Sequence, residues 1–419
     1  MAEEKVYLCI DLKSFYASVE CAERGLDPMT ARLVVADPER TEKTICLAIS
    51  PAMKALGVKN RCRVFQIPPG IDYIMAPPRM ALYVDYSARI YSVYLRYAAR
   101  EDMHVYSIDE VFIDATDYLS YRRQSPEEFA RMIMDDVLAE TGITAACGIG
   151  SNLYLAKIAL DILSKHAPGG IARLTEESYR RLLWKHRPIT DFWRVGPGTA
   201  ARLSRMGIDC MGELAAADED MLYRAFGVDA ELLIDHAWGR EPTTIADIRA
   251  YRPHTKSICG GQVLSRGYHF DEGRIIIREM AESMALELFS QGLATDSINL
   301  HLAYSRSSRP PSSGSLSLGV PSASMKLLSG QAEALYGRLM DRREILHRVT
   351  LSFGRLREER FPQYDLFASP AARERERRLQ RALLDIKGKY GGNSILKCLD
   401  LAEGATARDR NHQIGGHRA

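Results

Sequence analysis

Three carboxylates stand out by their placement. Asp11 closes the apolar run KVYLCID, and Asp109 and Glu110 lie side by side within VYSIDEVFIDA. The flanks of the acidic pair read as two short β-rich runs with no spacer, which predicts a hairpin with the acids at its tip. On a regular strand adjacent side chains point to opposite faces, so both acids reach one site only if the chain turns there. Alone, the pair also fits an ordinary polar turn. If the hairpin lies beside the strand ending at Asp11, three carboxylates converge at one sheet edge, where they repel. Divalent cations remove that objection. Mg²⁺ takes oxygen ligands, usually one or two protein carboxylates plus phosphate oxygens and water. Two such ions about 3.5–4 Å apart activate an attacking oxygen and stabilise a leaving one. The chemistry this suggests is phosphoryl or nucleotidyl transfer. A triphosphate would also meet the backbone N–H groups of Phe15 and Tyr16 at a helix start. Lys54 and Lys157, each an ordinary solvated lysine if read singly, become phosphate ligands in that company.

The elements that must position these groups follow a mixed α/β order. KVYLCID is a buried strand, and SFYASVECAERG has helical spacing with Gly25 as its stop. ARLVVAD and KTICLAIS read as strands, and PAMKALGV as a helix opened by Pro51. MALYVDYSARIYSVYLRYA is a long amphipathic helix whose tyrosines form a core stripe. After the hairpin comes a helix capped by Ser125 with Pro126 in its first turn, then strand ITAACGIG and helix SNLYLAKIALDILSK. From about residue 170 the chain reads as helical. Residues 240–255, rich in Pro, Arg and Thr, read as a linker. Beyond it a βαββαβ order is expected, with a Ser/Pro/Gly loop at 305–314. A polar tail with one helix, SPAARERERRLQRALLDIKG, follows residue 360.

Length and composition bound the answer. A chain of 419 residues, 46% apolar and 26% charged, is long enough for several globular domains. Its net charge of +2 is too small to argue for any partner by itself. The eight cysteines show no C-x-x-C pair and read as reduced core residues. The acidic opening MAEEK does not read as a signal peptide, and no run approaches the roughly 18 apolar residues of a membrane helix. A cytoplasmic location with no membrane partner is the expectation.

Three blocks, IDLKSFYASVE, YSIDEVFID and GIGSNLYLAKIA, in that order, resemble the signature blocks of the Y-family translesion DNA polymerases. The wording DLKSFYAS resembles the UmuC-like branch, which includes the UvrX-type bacterial polymerases. The resemblance implies an α+β multidomain, right-hand polymerase. Its palm would take residues 1–16 and 81–168, its fingers 17–80, and its helical thumb with a helix-hairpin-helix 169–241. A linker would span 242–255, a βαββαβ little finger 256–358, and a tail 359–419. It implies low-fidelity, template-directed nucleotidyl transfer past damaged DNA, in bacterial DNA repair and SOS mutagenesis. Primer-template DNA and dNTP are the implied substrates, two Mg²⁺ the cofactors with Mn²⁺ as the substitute, and accessory mutagenesis factors are implied partners.

Residue by residue, the resemblance makes Asp11, Asp109 and Glu110 the catalytic metal ligands, with the Leu12 carbonyl beside them. Tyr16 becomes a steric gate that occupies the space of a ribose 2′-OH, against the simpler reading of core packing. Lys157 matches the lysine that holds the triphosphate. The fingers depart from many relatives: SPAMKALGV offers Lys54 where a Tyr and an Arg grip the triphosphate, so a point charge replaces a bidentate guanidinium. Ala48 and Ser50 predict loose enclosure of the nascent base pair.

VGPGTAARL resembles a helix-hairpin-helix, with Gly196 and Gly198 letting the backbone approach a DNA phosphate. Arg249, Arg252, Lys256 and Arg266 are candidate holders of the DNA backbone. QYDLF resembles the peptide that binds the bacterial sliding clamp, with Gln363 at a pocket rim and Leu366 and Phe367 inside it. Two rivals remain at this point. A nucleotidyl cyclase would turn over nucleotide without DNA, and a non-enzymatic DNA- and clamp-binding factor would not need its carboxylates.

Overall fold

The computed structural model describes residues 5–253, 256–305, 310–359 and 369–419. The chain divides into two units, Met1–Tyr251 and Arg252–Ala419. The first unit opens with β1 (Tyr7–Leu12) and α1 (Phe15–Ala22). A small sheet of β2 (Leu33–Val35), β3 (Ala48–Ile49) and β4 (Ile74–Ala76) follows, with α2 (Pro51–Ala55) after β3. Next come α3 (Met80–Tyr94), β5 (Met103–Val105), β6 (Glu110–Asp114), α4 (Thr116–Arg122), α5 (Pro126–Thr141), β7 (Ala145–Gly150), α6 (Leu153–Ile158) and β8 (Ile171–Leu174). The large sheet runs β5-β6-β1-β7-β8. β1 is central and antiparallel to both neighbours, and it is apolar on both faces because both are covered. Leu8, Ile10, Val111, Ile113 and Cys147 pack with Tyr83, Ile90, Phe129 and Ile133. Tyr7, Cys9, Phe112 and Ala146 pack on the other face with Leu153, Ala156 and Leu160.

The local signals hold. Ser125 accepts from the Glu128 N–H and the Glu128 carboxylate accepts from the Ser125 N–H, a reciprocal cap that starts α5 behind Pro126. Tyr83, Tyr86 and Tyr94 of α3 are core residues, as their stripe predicts. Six cysteines are buried, but Cys259 and Cys398 are exposed, so those two are not core residues. β8, parallel to β7, stands where only helix was expected, because IARL is too short to carry a period.

The chain then turns helical through α7 (Glu176–Leu183), α8 (Pro197–Ser204), α9 (Met211–Ala215), α10 (Glu219–Phe226) and α11 (Asp229–Trp238), built around Tyr154, Tyr179, Phe192, Leu203 and Leu222. The expected linker contains α12 (Ile245–Ala250), capped by Thr244 and Asp247. Ile245 is buried against the Cys9 face of the large sheet. One buried residue in a six-residue helix leaves too little periodicity to read.

The second unit has the expected βαββαβ order: β9 (Ile258–Tyr268), α13 (Phe270–Ser290), β10 (Leu293–Tyr304), β11 (Ser312–Ser322), α14 (Met325–Leu339) and β12 (Leu346–Gly354). Its sheet runs β11-β10-β12-β9, with β13 (Arg357–Glu358) pairing β10. β11 begins inside the expected Ser/Pro/Gly loop. Its outer face needs no apolar residues, so serines serve. The polar tail is more than one helix. After α15 (Pro370–Tyr390) come α16 (Ala407–Arg410) and a hairpin of β14 (Gln413–Ile414) and β15 (His417–Arg418). Buried carboxylates on α13 receive this segment: Lys397 lies 2.7 Å from Glu282, and Thr406 donates its N–H and hydroxyl to Glu279. Charge pairs rather than an apolar stripe bind it, which hides it from periodicity.

Candidate active site

The sheet register brings the acids together. Asp11 faces Glu110 directly across β1 and β6. The Leu12 N–H donates to the Asp109 carbonyl at 3.0 Å, so the turn is pinned to the end of β1. Within the turn the N–H groups of Tyr106 and Ser107 both donate to the Glu110 carbonyl, and the Ser107 hydroxyl donates to the Asp109 carboxylate at 2.6 Å. Ser87 of α3 anchors the turn from behind by donating to the Ile108 carbonyl. The Asp11 carboxyl is pushed up to about 7, first by burial and then by the charges of Asp109 and Glu110. Burial also raises Glu110, against the pull of Lys157.

The three carboxylates are not arranged as a finished cage. Among the described residues no three His, Cys, Asp or Glu side chains surround one point as metal ligands. Glu110 is turned onto Lys157, whose ammonium lies 2.9 Å away, and it accepts from the Cys9 thiol at 3.1 Å. Asp11 and Asp109 are left as a repelling pair at a sheet end. That donor set fits Mg²⁺, which needs only one or two protein carboxylates when phosphate and water complete its shell.

Lys157 reaches this edge because α6 lies directly on β7. A Cβ on Gly148 would sit 2.0 Å from the Ala156 carbonyl oxygen, and one on Gly150 would sit 2.3 Å from the Ala156 nitrogen. The two glycines of GIG are thus spaces for the helix backbone. Asn152 caps α6 by accepting from the Leu155 N–H and donates to the Gly239 carbonyl beyond α11. A π turn over Ala159–Leu163 follows at once, a feature common at functional sites.

Tyr16 and Phe15 separate in role. Phe15 is 2% exposed and belongs to the core, so only its backbone is left for a ligand. Tyr16 stacks on Tyr83, with ring centroids 4.6 Å apart, and its phenol is raised by burial and then by the Asp109 charge. Tyr83 donates to Glu20, which also accepts from Arg79 at 2.9 and 2.8 Å, so the stacking partner is locked. Desolvation lowers the Lys54 ammonium while Asp11 opposes it, which puts Lys54 within the field of the acids. Two further cations act there that the sequence did not announce: Lys165 acts on Lys54 and Arg61 on Tyr16. Neither lies in a recognisable pattern. Ser50 does not line an open wall. It is fully buried, caps α2 and accepts from the Leu33 N–H, and Ala48 is buried beside it.

Gly196 and Gly198 form the exposed front of α8, with open space where a Cβ would be. Just before them, the Trp193 indole N–H donates to the Tyr106 hydroxyl at 3.0 Å, joining the helical region to the acidic turn. The expected DNA-holding cations fare unevenly. Arg249, Arg252, Lys256 and Arg266 are all exposed. Arg249 donates to the Arg100 carbonyl at 2.7 Å. Arg266 is paired with Glu272 and lies 4.5 Å over the Tyr268 ring. Both guanidiniums have partners within the protein while staying exposed, contacts that local charge counting misses. Gln363, Leu366 and Phe367 lie outside the described residues.

Residues 10–161 match the impB/mucB/samB family, and residues 255–366 its C-terminal domain. The chain is 30% identical to UvrX of Bacillus subtilis (strain 168), a protein named for UV-damage repair, over 99% of this chain and 98% of that one. It is 29% identical to DNA polymerase IV 2 of the same organism over the full length of both. Among solved structures, a Y-family DNA polymerase chimera of Dbh and Dpo4 superposes with a TM-score of 0.65 at 20% identity, covering 83% of this chain and 98% of that one. No helix among the described residues is long and apolar enough to cross a membrane. With both family regions matched and a relative aligned end to end, the chain belongs to the impB/mucB/samB family, the Y-family DNA polymerases.

Proposed function

We propose that the protein extends a primer on damaged template DNA by two-metal nucleotidyl transfer, as part of bacterial damage-induced mutagenesis. The observation that carries this reading is the β1–β6 register, which sets Asp11 opposite Glu110 with Asp109 pinned beside them. Asp11, Asp109 and the Leu12 carbonyl would hold two Mg²⁺ (or Mn²⁺), with Glu110 joining once released from Lys157. Bound there, the ions would supply activation of the primer hydroxyl and stabilisation of the departing pyrophosphate.

The chain's own groups do the rest. Lys157 and Lys54 take the triphosphate charge, and the first N–H groups of α1 face it. Tyr16, braced by Tyr83, stands where a ribose 2′-OH would enter. The open front of α8 takes a DNA phosphate at Gly196 and Gly198, and Arg252 and Lys256 add charge. In this reading residues 1–16 and 81–168 serve as palm, 17–80 as fingers, 169–241 as thumb and 256–358 as little finger. The segment 363–367 binds the sliding clamp, and accessory mutagenesis factors act at the nucleoid.

The test is primer extension on undamaged and abasic templates with Mg²⁺. Asp109→Ala is expected to lose extension by about 10³-fold or more while its DNA affinity holds. Equal extension by wild type and mutant would overturn the two-metal reading.

A further inference from the structure

We infer that Asp161 is a positioning residue that lets Lys157 change partner from Glu110 to a triphosphate without losing its counter-charge. The inference rests on the polymerase reading for the identity of the second partner, and on the free structure for the rest. The Lys157 ammonium has two carboxylate partners, Glu110 at 2.9 Å and Asp161 at 3.0 Å. It also lies 5.8 Å over the Tyr106 ring. The side chains of Lys157 and Glu110 are each 9% exposed, whereas that of Asp161 is 32% exposed.

The two partners are held differently. Glu110 belongs to β6 and is needed at the carboxylate cluster. Asp161 is four residues along from Lys157 on the same helical segment, so it stays with the lysine wherever that segment goes. A desolvated ammonium stripped of its only counter-ion is strongly disfavoured. If Glu110 were the sole partner, releasing it would strand Lys157. With Asp161 in place the lysine keeps one carboxylate throughout, and Glu110 keeps the Cys9 thiol as donor. Without the Asp161 charge Lys157 is held by Glu110 alone and less firmly overall, so freeing Glu110 would strand it, and capture of the triphosphate suffers more than the chemical step.

The experiment compares wild type, Asp161→Asn and Asp161→Glu in the full chain, with thermal melting as a control for folding. In EDTA, without DNA or nucleotide, lysines are acylated by an N-hydroxysuccinimide ester and read by mass spectrometry. Lys157 is expected to be protected in wild type, to label faster in Asp161→Asn and to be protected again in Asp161→Glu. In primer extension, Asp161→Asn should raise the dNTP KM about fivefold to tenfold with kcat within about twofold, and Asp161→Glu should restore it. Unchanged labelling together with an unchanged KM would overturn the inference. So would a loss of kcat and melting temperature that Asp161→Glu fails to rescue, since that marks a merely structural role. If wild type extends no primer, the polymerase reading fails, while the labelling still decides whether Asp161 holds Lys157.

Discussion

The two sheets of this chain use the same backbone pattern for opposite ends. The β5-β6-β1-β7-β8 sheet is covered on both faces, and ionisable side chains gather at a strand end where Asp11, Asp109, Glu110 and Lys157 meet. One face of the β11-β10-β12-β9 sheet packs on α13 and α14. Its register puts Ser297, Asn299 and His301 in line with Ser313, Ser315, Ser317, Thr350 and Ser352 on the other face. The first concentrates charge at a point. The second spreads small polar groups over an area. The glycines tell the same story: Gly148 and Gly150 admit a helix backbone, while Gly319 faces open space.

The sharpest way to break this comparison is a matched pair of substitutions. Gly148→Ala should cost more than about 4 kcal/mol or prevent folding, because the clash is with backbone that cannot move aside. Gly319→Ala should stay within ~0.5 kcal/mol, and chemical denaturation of both variants decides. Equal costs would remove the distinction. Next, Tyr16→Ala should relax discrimination against ribonucleotides by about 10²-fold. Competition between dNTP and rNTP in single-nucleotide insertion checks it, and unchanged discrimination would return Tyr16 to a packing role.

A smaller effect tests the strain at the first site. The Asp11 carboxyl rises from its ordinary 3.8 to about 7 on folding, so the metal-free fold is penalised as pH climbs from about 4 to 7 and fully penalised above 7. Asp11→Asn should therefore stabilise the metal-free protein by on the order of 2 kcal/mol at pH 7.5 and by almost nothing near pH 4. Melting in EDTA at the two pH values reads this directly, and a pH-independent difference would show that the repulsion is not felt. The smallest effect is expected in the second unit. Arg266→Ala should cost ~0.5 kcal/mol and leave DNA affinity within about twofold, since its charge is already paired with Glu272. A large loss of DNA affinity would restore Arg266 as a contact.

What could be read from sequence divides along physical lines. Local rules exposed the acidic turn, the Ser125 cap, the Tyr83–Tyr86–Tyr94 stripe and the βαββαβ order, because each depends on neighbours within a few residues. The pairing of Glu110 with Lys157 joins positions 47 apart, and Arg249 reaches a carbonyl 149 positions back. No period or cap encodes such contacts. α12 and the tail escaped for a related reason: one is short, and the other is fastened by Lys397–Glu282 and Thr406–Glu279 rather than by an apolar face.

The bond between Trp193 and Tyr106 has an optical consequence. Of the three tryptophans, Trp184 and Trp238 lie against each other with centroids 5.3 Å apart, while Trp193 sits 5.9 Å from the Tyr106 ring at the edge of the acidic turn. A chain with phenylalanine in place of Trp184 and Trp238 would carry one indole, beside the turn that bears Asp109. Its emission would follow that turn in real time, in an unlabelled protein, as nucleotide and template arrive.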